Sequence, residues 1–111
     1  MMPEPGQDLL EKLRHRDAVV RRQAARQIGA TKLKEGVREL MQVLADDASA
    51  PVRRAAAEAL GKIGDPAARS ALERALRSES DDGVRRAAAA AMSRLGLESS
   101  DYPGILPVSE E

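Results

Sequence analysis

The sequence predicts an all-α fold, a solenoid of three stacked helix pairs, and two observations carry that reading. Three segments align without gaps at a spacing of 32 residues: Val20-Arg21-Arg22-Gln23-Ala24-Ala25, Val52-Arg53-Arg54-Ala55-Ala56-Ala57 and Val84-Arg85-Arg86-Ala87-Ala88-Ala89. A repeat of that length is the signature of stacked units that each bury one apolar face against the next. The apolar residues are also of one kind. Ala, Leu, Val, Ile and Met supply nearly all of them, with no Phe, no Trp and Tyr102 as the one tyrosine. A β-sandwich core draws on aromatic and β-branched residues, so this bias points to helices packed through small side chains.

Each repeat divides into a first helix, A, and a second, B. The A helices are marked by leucine pairs at i, i+4: Leu9 and Leu13, Leu40 and Leu44, Leu72 and Leu76. They are expected at roughly 7–14, 33–46 and 66–78. Asp65-Pro66 starts the third of these, a cap followed by proline at the first helical position. The B helices are expected at roughly 18–29, 50–63 and 82–95. In the second, Val52, Ala56, Ala59 or Leu60, and Ile63 fall on one face, and Pro51 lies in the first turn where its missing N–H costs little. Ile28, Leu60 and Met92 are equivalent core positions. Asp17, Ser49 and Asp81 precede each valine by three residues and serve as N-caps. Gly61 and Gly64 mark the expected end of the second B helix, and Gly96 that of the third. Helices this short are marginal alone in water, and about three repeats are the usual minimum for a stable stack.

The domain reading is an N-terminal extension over 1–6, the repeat domain over 7–96 and an acidic segment over 97–111. That last segment, with two prolines and four acids beside Tyr102, Ile105, Leu106 and Val108, is expected to be a cap on the third repeat, an extended docking motif or a disordered tail.

Composition removes several function classes. Eighteen basic and eighteen acidic residues cancel, which withdraws the simplest case for nucleic-acid binding. With no cysteine there is no disulfide, thiol nucleophile or cysteine-based zinc site. No apolar run is long enough to span a bilayer, and Met1 to Gly6 lacks a basic region followed by an apolar stretch. A soluble, cytoplasmic protein is expected. The preference for Arg over Lys, with abundant Ala, hints at a bacterial source.

The run Val52-Arg53-Arg54-Ala55-Ala56-Ala57-Glu58-Ala59-Leu60-Gly61-Lys62-Ile63-Gly64-Asp65-Pro66 resembles the short HEAT-like repeat of phycobilin lyase subunits. The likeness covers about residues 8–96. It is strongest in the second and third repeats, while the first has Thr31-Lys32-Leu33-Lys34 in place of Gly-Asp-Pro. The resemblance implies a right-handed α-solenoid with the B helices lining its concave surface. It also implies that the first arginine of each pair, Arg21, Arg53 and Arg85, binds an acid of a neighbouring inter-helix turn. Asp47, Asp65 and the Asp81-Asp82 turn are candidates for that structural role.

The second arginines, Arg22, Arg54 and Arg86, project one position further round the helix. Arg26, Glu58, Lys62 and Arg94 share their stripes at four and eight residues on. Side by side on a solenoid, these stripes set six basic groups against Glu58. The overall neutral chain then has a basic concave face and an acidic end. The bland alternative is that these are ordinary solvated arginines.

Catalysis finds little support. His15, the lone histidine, falls in the first A–B turn between Arg14 and Arg16, where a solvated loop residue is the ordinary reading. Deoxyhypusine hydroxylases resemble this fold but rely on repeated His-Glu pairs for di-iron, and the sequence has none. No metal or other cofactor is expected. The expected function is a non-enzymatic adaptor, monomeric or weakly homodimeric, that holds an acidic protein surface on Arg22, Arg26, Arg54, Lys62, Arg86 and Arg94. An accessory subunit of an enzyme complex is the second reading. A weak, non-specific binder of nucleic-acid backbone is the third, disfavoured because the B helices have no aromatic side chain on which bases could stack.

Overall fold

The computed structural model describes residues 5–96; the expectations for 1–4 and for the 97–111 segment lie outside the described residues. Six α-helices follow one another: α1 (Pro5–Lys12), α2 (Ala18–Ala30), α3 (Val37–Asp46), α4 (Ala50–Ile63), α5 (Arg69–Ser78) and α6 (Asp82–Arg94). No strand occurs among the described residues. The three pairs stack as an α-solenoid. The second and third A helices are each introduced by one 3-10 turn, Lys34–Gly36 and Pro66–Ala68, so their α-helical parts begin three or four residues after the leucine periodicity implies.

The predicted caps form. Asp17 accepts from the Val19 N–H at 2.8 Å, Ser49 from Val52 at 3.4 Å and Asp81 from Val84 at 3.0 Å. At the other end Gly64 closes α4 in the left-handed conformation, φ 76°, and Gly96 adopts φ 77° beyond α6. Lys32 takes the same repeat position after α2 with φ 53°, a conformation that glycine adopts without its steric cost.

The core is aliphatic throughout. Ile28, Leu40, Leu60, Leu72, Val52 and Val84 are its largest fully buried side chains, and among the described residues no polar or charged residue is buried. Gly61 corrects the sequence reading. It does not end α4 but lies buried inside it, where a Cβ would stand 2.8 Å from the Ala91 Cα. Gly29 does the same one repeat earlier, 2.7 Å from the Ala59 Cα. These glycines let the B-helix backbones meet directly. As a result α2, α4 and α6 pack along one another extensively, whereas α3 and α5 touch little. The B helices thus form the more closely packed layer of the stack.

Candidate partner-binding site

Two sets of arginines, one residue apart in sequence, have different fates. Arg21 binds Asp47 through Nε at 2.7 Å and Nη2 at 3.0 Å, while its Nη1 donates to the His15 carbonyl at 2.8 Å. Arg53 repeats this one unit later, binding Glu79 at 3.0 and 2.8 Å and donating to the Asp47 carbonyl at 2.7 Å. Each guanidinium thus fastens its own A–B turn to the A–B turn of the following repeat. The carboxylates also cap those turns, Asp47 accepting from Ser49 N–H at 2.9 Å and Glu79 from Asp81 N–H at 3.2 Å. The Arg53 hydrogen bonds hold the Glu79 carboxyl below its ordinary value, against the opposing effect of partial burial. The same pairing raises Arg53, and Asp47 raises Arg21.

Asp47 therefore takes the position expected of it. Asp65 pairs with no arginine among the described residues; it caps the 3-10 turn before α5, accepting from Ala67 N–H at 2.9 Å. It lies in a B–A turn, at the opposite end of the helices from the guanidinium groups. Asp81 caps α6, and Asp82 pairs with Arg85 within that helix. Sequence reasoning missed Glu79, although it stands 32 residues after Asp47, at the repeat spacing itself. The change from aspartate to glutamate at that position hides the equivalence.

The second set, Arg22, Arg54 and Arg86, is exposed on the B helices. Arg22, Arg26, Arg54 and Glu58 line one groove of about 530 Å³ between α2, α4 and the start of α6, together with Ala50, Pro51, Ala55, Asp81 and Gly83. Glu58, Lys62 and Arg94 line a second hollow of about 290 Å³ floored by Ala87, Ala90 and Ala91. Glu58 is common to both and accepts from Arg54 Nε at 3.3 Å. Arg22 and Arg26 are exposed, and neither has an ion-pair partner among the described residues. Arg86 is exposed and lines neither groove. The arrangement presents paired donors of fixed charge above a small, shallow floor, which suits carboxylates on a macromolecular surface. His15 is exposed, its Nδ1 accepting from Asp17 N–H at 3.0 Å. Among the described residues no cluster of three or more His, Asp or Glu is placed to hold a metal, and no helix is long and apolar enough to cross a membrane.

Helix pairs repeated in register, an aliphatic core and an arginine–carboxylate ladder define an α-solenoid of the repeat class. The sequence model described as HEAT repeats matches residues 6–93, and the chain belongs to that family. Among solved structures it is similar to a chain in the complex of CpcE and CpcF of phycocyanin lyase from Nostoc sp. PCC7120. The likeness has 30% identity and a TM-score of 0.77, covering 86% of this chain and 38% of that chain. This chain therefore spans well under half the length of that relative. No curated protein matches it.

Proposed function

We propose that this chain is a non-catalytic interaction module whose concave groove holds an acidic surface of a protein partner. The observation that supports this most is the contrast between the two arginine sets. Arg21 and Arg53 have their charges met within the fold, whereas Arg22 and Arg26 stand in a groove shared with Glu58 and Asp81 and form no ion pair among the described residues. Arg54, loosely held by Glu58, completes the set. Neighbouring helices lie about 8–10 Å apart, within about one Debye length at physiological salt, so the three positive charges act together and exceed the two negative ones, Glu58 and Asp81, in the groove. Nucleic acid is the poorer ligand, because no aromatic side chain stands on α2, α4 or α6 to stack a base.

A second reading, an accessory subunit in an enzyme complex with the chemistry on its partner, is favoured by the likeness to the phycocyanin lyase complex, which contains two different subunits. Both readings use the same groove. The test is capture from a native lysate by the full chain and by its Arg26→Glu, Arg54→Glu variant. Loss of a captured protein with an unchanged melting temperature supports the reading. Equal capture by both forms would remove the groove from consideration. The captured protein's own activity then separates a scaffold from an enzyme subunit.

A further inference from the structure

The two grooves between A helices differ, although the repeat makes them equivalent. Beside Leu13 the α3 bank carries Glu39, Gln42, Val43 and Asp46, and the hollow is about 240 Å³. At the same repeat positions α5 turns Ala71, Arg74, Ala75 and Ser78 toward α3, and the groove is about 540 Å³. Three of these four side chains are shorter than their counterparts, and both acids among them are replaced. Met41, Leu44 and Ala45 of α3 complete an apolar floor with Ala71 and Ala75. Beside it stand Arg38 and Arg74, both exposed and neither in an ion pair among the described residues. Arg53 and Glu79, which also line the groove, are paired with each other. Apolar surface is thus joined to net positive charge, and its complement is a short aliphatic segment flanked by carboxylates.

The stretch 97–111 has that composition. Ile105, Leu106 and Val108 lie between Asp101 on one side and Glu110 and Glu111 on the other, with no basic residue in the segment. It also starts within reach. In the α5–α6 pair the end of α6 lies beside the start of α5, so that one helix, about 10–12 Å wide, separates Gly96 from the groove. The stretch 97–104 extends up to about 26 Å, enough to pass that helix before the apolar residues begin.

We propose that residues 101–111 of this chain lie in the α3–α5 groove. Ile105, Leu106 and Val108 cover its apolar floor, and the flanking acids meet Arg38 and Arg74. This surface is on the A helices, separate from the groove of Arg22, Arg26 and Arg54, and does not depend on the function proposed for that groove.

The test uses the full chain, which has no cysteine, so two introduced thiols report on one another alone. Ser109→Cys is paired in turn with Ala45→Cys in the groove, Ala90→Cys in the hollow beside Lys62 and Ala89→Cys at the α6 edge; all three alanines are exposed. Disulfide formation in dilute, mildly oxidising solution is followed by mass spectrometry, and circular dichroism establishes that each variant keeps its helices. The 45–109 bond is expected to form about tenfold faster than the other two, as for thiols held at raised effective concentration. A segment with no dock favours 89 and 90 instead, which are nearer along the chain. Arg38→Glu with Arg74→Glu should slow the 45–109 bond to the level of the others. Adding Asp101→Arg, Glu110→Arg and Glu111→Arg to that variant should restore it. Equal rates at the three positions, or a fastest bond at 89 or 90, overturn the proposal, since the segment then caps the edge, covers the B helices or has no fixed place. A 45–109 rate indifferent to the arginines, or not restored by the exchange, overturns it too. Bonds that join two chains would replace the chain's own segment with a second copy.

Discussion

Arg53 of α4 holds Glu79 of the following repeat by two hydrogen bonds and its own repeat's Asp47 carbonyl by a third. Both side chains are largely withdrawn from water, 17% and 8% exposed. The pair joins two repeats at the point where each chain turns between helices, so its geometry sets how one repeat is laid on the next. Arg54, the adjoining residue, is 61% exposed, and its one ion pair among the described residues is with Glu58 on its own helix.

Arg53→Ala should therefore destabilise the fold by about 1–3 kcal/mol, because it leaves a half-buried carboxylate without its donor. Arg54→Ala should stay within about 0.5 kcal/mol. Arg21→Ala should resemble the first, and Arg85→Ala should cost less than either, since Arg85 anchors no following repeat among the described residues. Denaturant melts of the four variants check the order. Equal losses at 53 and 54 would refute the division of the arginines into two sets.

Acid should erode the ladder. The Glu79 carboxyl titrates lower in the folded chain than in the unfolded one, so its contribution is present above the ordinary carboxylate value of about 4.3 and is lost as pH falls through the lower folded value. Arg53, raised above its ordinary value, stays charged throughout that range. The stability gap between wild type and Glu79→Gln should be widest near neutrality and narrow below about pH 4. Urea titrations at several pH values measure it, and a gap independent of pH would contradict the pairing.

Gly61→Ala tests the close approach of α4 and α6. Helix propensity alone favours alanine by about 1 kcal/mol. Against that, the new Cβ would stand 2.8 Å from the Ala91 Cα, a backbone atom that moves only if the helix moves. Net destabilisation of about 1–3 kcal/mol is expected. Adding Ala91→Gly should restore only part of it, because the α6 backbone still crowds the new methyl group. A stabilised Gly61→Ala would show that the layer spacing is not set here.

Lys32→Gly should stabilise the chain by about 0.5–1 kcal/mol, less than the full left-handed penalty because glycine also loosens the unfolded chain. Lys32 adopts φ 53° at the position where the other repeats place Gly64 and Gly96. The same substitution at Lys62, inside α4, should destabilise instead. Thermal melts of the two variants separate the backbone effect from loss of a lysine charge.

The sequence by itself determined the number of repeats, the order of the helices, their caps and the leucine and valine positions of the core. These rest on local rules: i, i+4 spacing, a cap oxygen three residues before a valine, and a period of 32 that repeats them. Asp47 was one of several turn acids that the resemblance to the short HEAT-like repeat offered as an arginine's partner. Only the tertiary structure decided that Glu79 closes the second rung while Asp65 caps a 3-10 turn, because a side-chain fork reaches across repeats and its target depends on which turns lie at the same end of the stack. It decided likewise that Gly61 is a point of close helix approach rather than a helix end, since a missing Cβ has the same sequence signature in both roles. The split of the basic stripe into two grooves sharing Glu58, with Arg86 outside both, also belongs to packing. Helical periodicity places a residue on a face, but the curvature and offset of neighbouring helices decide which faces meet.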